Sequence, residues 1–230
     1  MKSLSVFFPA YNEEENIAKQ VDEAVNYLDT LGIDYEVLVI NDMSTDRTAE
    51  IVNVNFKDKP QVKVIDNDTA SIHGYGSALR KGFASFTKDM VFFTDSDLQF
   101  DIKEIGLFLN EIDKNDYVIG YRINRQDAGH RILNAKLWGL AVRILLGVNV
   151  KDIDCAFKLF NRDIIKSIDI RSNSALINAE FLFKLNQKHY TFSQIGVHHF
   201  PRVAGKPTGA NLSVILKAVR DLMKIRFGLI

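Results

Sequence analysis

Short apolar runs rich in branched and aromatic residues alternate along this chain with longer stretches whose apolar positions recur every three or four residues. The short runs predict strands at 3–8, 35–40, 62–66, 90–94, 116–121, 156–160 and 192–200. The longer stretches predict helices at 13–30, 46–54, 75–86, 101–112, 131–146, 162–168, 176–187 and 210–226. Runs such as Met90-Val91-Phe92-Phe93-Thr94 are apolar on both faces, as buried parallel strands are. Regular strand–helix alternation predicts an α/β fold with a mostly parallel central sheet flanked by helices.

Composition narrows the picture. At 230 residues the chain can bury a large core, and one domain spanning 1–230 accounts for it. Formal net charge is zero, so a nucleic-acid partner has no electrostatic support. A single cysteine, Cys155, excludes an internal disulfide framework and fits a reducing compartment. Leu4 to Phe8 already reads as a strand, so no signal segment is read at the start. The most apolar stretch, Leu137 to Val150, is interrupted by Arg143 and too short to span a bilayer.

Candidate chemistry sits at strand ends. Asp95-Ser96-Asp97 follows the buried run 90–94, at the carboxyl end where open α/β sheets hold ligands. Alternate side chains of an extended chain point apart, so the two carboxylates converge only if the chain turns at Ser96. Converging carboxylates repel unless a cation lies between them, and oxygen ligands of this kind suit magnesium or manganese. An isolated D-x-D is more often a solvated turn. The first strand runs into Pro9-Ala10-Tyr11-Asn12-Glu13, where Asn12 is expected to cap the next helix. The second ends in Asn41-Asp42-Met43-Ser44-Thr45-Asp46, with Ser44 or Thr45 as the expected cap and Asp42 not needed for it. Gly74 and Gly76, after the third strand, either bring backbone close to a ligand or simply open a helix. The incomplete glycine pattern argues against a dinucleotide-binding oxidoreductase.

Together P-A-Y-N-E at 9–13, N-D-M-S-T-D-R-T at 41–48, G-Y-G-S-A-L-R-K-G at 74–82 and D-S-D-L-Q at 95–99 resemble family 2 glycosyltransferases of the GT-A fold, a Rossmann-like nucleotide-diphospho-sugar transferase architecture. Gly120-Tyr121-Arg122, the run Asp154 to Phe160 and the run His199 to Lys206 resemble the polyprenyl-phosphate sugar transferases, of the dolichol-phosphate mannosyltransferase type. The chain departs from the family at Asn41, Met43 and Arg47.

The resemblance implies an inverting transfer of a hexose from a GDP- or UDP-sugar to a polyprenyl phosphate, at the cytosolic face of a membrane. It implies a nucleotide-sugar half over 1–122 and an acceptor half over 123–230. Pro9, Tyr11, Glu13, Asp42, Gly74, Asp95, Ser96, Arg202 and Lys206 are then the nucleotide-sugar set. Asp95, Asp97 and Gln99 form the metal set, and Asp97, Arg122, Arg131 and Arg202 the catalytic set. A phosphate acceptor is already anionic, so its attack needs positioning more than a base. Arg122 and Arg131 are the expected phosphate clamp, with surface charge as the alternative, and Arg125 and His130 are weaker candidates. Residues 202–208 are expected to form a basic loop that closes over the pyrophosphate. Asp154 either holds the sugar, orients an arginine or serves as base for a glycan or small-alcohol acceptor. A nucleotide-sugar-binding relative without turnover is a further alternative, against which Asp95, Asp97, Arg122 and Arg202 argue. Glu180 is expected to pair with a base; His198 and His199 could serve a metal site, but adjacent histidines on a strand point apart, which favours packing or support of a neighbouring group. The last helix carries Lys217, Arg220, Asp221 and Lys224 on one face, which suits either an anionic membrane surface or packing on its own domain.

Overall fold

The structure is a computed structural model and describes residues 2–68, 73–124, 129–174, 176–202 and 221–228. The strands are β1 (Leu4–Ala10), β2 (Tyr35–Asn41), β3 (Val62–Asp66), β4 (Met90–Thr94), β5 (Tyr117–Ile123), β6 (Phe157–Asn161) and β7 (Phe192–His198). The helices are α1 (Ile17–Leu31), α2 (Thr48–Asn55), α3 (Tyr75–Ser85), α4 (Ile105–Glu111), α5 (Gly129–Leu146), α6 (Arg162–Lys166) and α7 (Ile177–Gln187). A 3-10 turn, Ile102–Glu104, leads into α4, so the helix expected at 101–112 is split. Most of the expected helix 210–226 lies outside the described residues; 221–226 is helical and buries Leu222 and Ile225.

The strands form one seven-stranded sheet in the order β3-β2-β1-β4-β6-β5-β7. Only β6 runs antiparallel, against both β4 and β5. Six strands therefore point their carboxyl ends to one edge, and β6 brings its amino end to the same edge. Strand order reverses between β1 and β4, which opens the crevice that such sheets use for ligands.

Alternating side chains explain why the central strands are apolar throughout. Phe7, Phe93 and Phe160 project to one face, where Phe83 of α3 and Phe181 of α7 meet them edge-on. Phe92 and Phe157 project to the other, against Phe108 of α4 and Phe100. Gly82 lets α3 approach that first face: a Cβ there would lie 2.4 Å from the Phe7 ring. The ring cannot yield, because Phe83 and Phe93 hold it at 5.3 and 5.5 Å between centroids. Gly82→Ala gains about 1 kcal/mol of helix propensity and loses roughly 1–3 kcal/mol or more to overpacking. The expected result is a lower thermal midpoint, and a midpoint equal to or above the parent's would contradict the packing.

Helix starts differ from expectation. Asn12 is not a cap: it has φ 54°, and its side chain accepts from the Thr45 amide at 2.7 Å. α1 starts instead at Ile17. The cap of α2 is neither Ser44 nor Thr45, since Asp46 accepts from the Thr48 amide at 2.9 Å. Ser44 accepts from the Asn12 amide and Thr48 from the Glu13 amide, while Asp46 also accepts from the Glu14 amide. Glu14 in turn accepts from the Arg47 amide. These polar residues, which read locally as helix caps, are used to lace the loop after β1 to the loop after β2.

Candidate active site

The crevice is assembled from strand ends. β4 delivers Asp95-Ser96-Asp97, and the chain bends over 96–98 with Leu98 at φ 59°. Ser96 is buried and donates to the Pro9 carbonyl at 2.9 Å, which fixes the turn to the end of β1. Asp97 accepts from the Gln99 amide at 3.2 Å and from Arg202 at 2.7 Å. Arg202 also reaches Glu13 at 3.6 Å. Thus Glu13, Asp95, Ser96, Asp97 and Arg202 do come together.

Charge is concentrated here. Burial, and then the charge of Asp97, hold the Asp95 carboxyl well above the ordinary range, against the Tyr75 hydroxyl hydrogen bond and the cations Lys158 and Arg122. Asp95 Oδ1 is buried without a hydrogen-bond partner. Burial also raises Glu13, offset in part by Asn16 and Arg202. A buried orphan carboxylate oxygen beside a second carboxylate fits a cation. Among the described residues there is no cluster of three or more acidic, histidine or cysteine ligands, so such an ion would draw further oxygens from its substrate or from water. Gln99 directs its side-chain nitrogen to the Phe200 carbonyl at 2.9 Å, clamping the segment that carries Arg202.

At the end of β2, Asp42 is buried and accepts from Asn67 and from the Gly74 amide, both at 2.7 Å. Gly74 has φ 130° and opens α3, so its amide is committed to Asp42. Gly76 serves packing rather than a ligand: a Cβ would lie 2.5 Å from the backbone of Asn173 and Ser174. Tyr11 is 48% exposed and stacks on His73 at 6.3 Å. Pro9 lies in β1, bonded through its carbonyl to Ser96.

On the other side, Arg122 at the end of β5 is gripped by Asp152, at 2.6 Å through Nε and 2.8 Å through Nη2. Burial opposes its charge, and the Asp152 carboxylate more than offsets this. Asp154 is raised to about 6 by burial and by Asp152, and Trp138 of α5 hydrogen-bonds to it. Lys158 is fully buried and donates to the carbonyls of Ile153 and Cys155 and to Asn178 at 3.1 Å. Lys158 thereby pins the turn that presents Asp152 and Asp154. Sequence reading missed both Asp152 and Lys158. A lysine amid Phe157, Leu159 and Phe160 on a core strand was the available signal, because a buried charge must be paired.

Glu180 pairs with Lys184 and accepts from the Arg171 and Ser172 amides. His198 pairs with Glu104 at 2.6 Å, and His199 packs edge-on against Phe100. Arg131 lies in α5, with its side chain outside the described set, as is that of His130. Arg125, Lys206 and the expected loop 202–208 beyond Arg202 lie outside the described residues.

The model of the family described as "Glycosyl transferase family 2" matches residues 5–169. The chain belongs to glycosyl transferase family 2. The match runs from the second residue of β1 through the Asp95–Asp97 turn and takes in Arg122, Asp152, Asp154 and Lys158. Among curated relatives in polyprenyl-phosphate sugar transfer, the dolichyl-phosphate beta-glucosyltransferase ALG5D of Trichomonas vaginalis is 28% identical over 241 residues, covering 96% of this chain and 72% of the relative. The undecaprenyl-phosphate 4-deoxy-4-formamido-L-arabinose transferase of Pseudomonas fluorescens is 32% identical over 168 residues, covering 72% of this chain and 48% of the relative. The chain spans about half the length of that protein and of its Pectobacterium atrosepticum counterpart, at 48% and 51%. A crystal structure of glucosyl-3-phosphoglycerate synthase from Mycobacterium tuberculosis with Mn2+, UDP and phosphoglyceric acid matches with a TM-score of 0.74 at 19% identity, over 99% of this chain and 78% of that one. That likeness shows the GT-A fold.

Proposed function

We propose that this domain transfers a hexose from a nucleoside diphosphate sugar to a polyprenyl phosphate with inversion, using a divalent cation. The observation that carries the reading is the Asp95–Asp97 turn at the sheet's switch point, with Asp95 Oδ1 buried and unpartnered and Asp97 Oδ2 2.7 Å from Arg202. The lipid-phosphate acceptor follows the names of the curated relatives, and the cation follows the Mn2+ and Mg2+ in the solved neighbours.

Asp95 and Asp97, with Gln99 beside them, would hold magnesium or manganese. When bound, the ion supplies neutralising charge to the departing diphosphate. Tyr11 offers an exposed ring to the base, and the Asp42–Gly74 contact shapes the floor beneath it. Arg202 adds positive charge at the diphosphate end. Arg122, oriented by Asp152, and Arg131 receive the acceptor phosphate. Its oxygen attacks the anomeric carbon as the carbon–oxygen bond to the diphosphate breaks, in one displacement that inverts the centre. No proton has to leave the nucleophile, so no base is assigned. The deciding experiment incubates the chain with GDP- and UDP-sugars, Mg2+ or Mn2+ and a short polyprenyl phosphate, and detects product by mass. Donor consumption with free alcohols or glycans but never with the lipid phosphate would reject the acceptor.

A second reading makes Asp154 the base for a hydroxyl acceptor, because its carboxyl titrates near the working range, at about 6. The phosphate reading expects Asp154→Asn to keep turnover within about tenfold, whereas loss of a base costs roughly 10²–10⁴. The same variant tests the electrostatics. A carboxyl raised from 3.8 to about 6 holds its proton more tightly folded than unfolded. Its contribution therefore destabilises the fold progressively as pH rises from about 4 to about 6. Asp154→Asn should flatten that part of the stability profile in denaturant titrations; an unchanged slope contradicts the shift.

A further inference from the structure

α5 shows opposite characters on its two sides. Leu133, Leu137, Leu140 and Ile144 are 57%, 57%, 52% and 71% exposed. At about 100° per residue they fall within roughly 60° of arc, a stripe about 16 Å long. The opposite side buries Val142 and Leu146 in the core and hydrogen-bonds Trp138 to Asp154. Four large aliphatic side chains in a line exceed the scattered apolar residues normal on a surface. Lys136 and Arg143 are exposed along one flank of the stripe. α5 also contains Arg131 and no acidic residue, within a chain of net charge zero. No helix among the described residues is long and apolar enough to cross a membrane. A helix with an apolar stripe, a cationic flank and insufficient apolar length lies in the plane of an anionic bilayer surface.

We propose that α5 docks the domain on an anionic lipid bilayer, with Leu133, Leu137, Leu140 and Ile144 immersed and Lys136 and Arg143 at the headgroups. The occupant is a membrane rather than a second copy of this chain, because identical cationic flanks meeting across a twofold axis would repel while anionic lipid complements them. Docking also fits the acceptor reading on which it rests: the buried side of α5 touches Asp154, so the acceptor side of the crevice lies one helix diameter, about 10 Å, from the headgroups.

The test is sedimentation of the full chain with vesicles of phosphatidylcholine plus phosphatidylglycerol, and with phosphatidylcholine alone. Leu137→Ser with Leu140→Ser should weaken binding to the anionic vesicles by roughly ten- to a hundredfold. Lys136→Gln with Arg143→Gln should weaken it by about fivefold per cation, with little change on phosphatidylcholine. The leucine variant should retain transfer to a short soluble prenyl phosphate and lose transfer to a long-chain acceptor embedded in vesicles. Equal vesicle binding by parent and leucine variant overturns the proposal. So does a parent dimer that the leucine changes dissociate, or a thermal midpoint that falls in the variant while the parent ignores vesicles, since the stripe would then cover a protein surface. If no prenyl phosphate is a substrate but vesicle binding still falls in the variant, docking stands and the acceptor reading fails.

Discussion

Asp97→Asn is expected to leave the domain folded and to reduce glycosyl transfer by about a thousandfold, the equivalent of roughly 4 kcal/mol of transition-state stabilisation. The substitution keeps the size of the side chain and its acceptor for the Gln99 amide. It removes the charge that faces Arg202 at 2.7 Å and that would complete a cation site with Asp95. Removing Asp97's charge also relieves Asp95, whose carboxyl is held high first by burial and then by that neighbour. The variant should therefore be at least as stable as the parent while metal-dependent donor binding is lost. Steady-state turnover together with calorimetry of nucleotide and Mn2+ provides the check, and near-parental turnover would remove Asp97 from the reaction.

Arg122→Ala is expected to cost about 2 kcal/mol of stability, because it removes the two charged hydrogen bonds that Arg122 makes with the partly buried Asp152, beside Asp154. Acceptor affinity or turnover should fall as well. Asp152→Ala should be destabilising for the reciprocal reason. The double variant should recover most of the lost stability and none of the activity. That pattern separates a structural ion pair, which a neutral pair replaces, from an arginine that binds the acceptor phosphate. Recovery of both stability and turnover in the double variant would assign Arg122 to structure alone.

Most of the architecture was legible because the central strands β1, β2, β4 and β6 are buried on both faces, so their apolar runs stand out against the polar loops. Strand 90–94 was read to the residue, and the turn expected at Ser96 is present as a bend over 96–98, with the left-handed conformation at Leu98. The reversed direction of β6 was not legible, since Phe157 to Phe160 would read identically either way up. Local propensity misled at Asn12, Ser44 and Thr45. Each is a good cap in isolation, and each is taken by a partner from a distant loop or leaves its helix to Asp46. Asp152 escaped notice because its significance lies in Arg122, 30 residues away in sequence. Lys158 was visible as an anomaly, though only the fold shows that its three acceptors lie on the loop 153–155 and on α7.

The antiparallel course of β6 bears on how such a domain can diversify. The segment between α5 and β6 leads into the one strand of the seven that pairs antiparallel with both neighbours, β4 and β5, with Thr94 paired to Phe157 at the rim. Lengthening it by a few residues ahead of Asp152, clear of the turn that Lys158 pins, adds only a logarithmic loop-closure entropy, about 0.6 kcal/mol for each doubling. The register of β1 to β4 is untouched by such a change. If the proposed division of labour holds, acceptor preference can drift by insertion and deletion while donor recognition changes only by point substitution, so two parts of one continuous sheet would evolve under separate constraints.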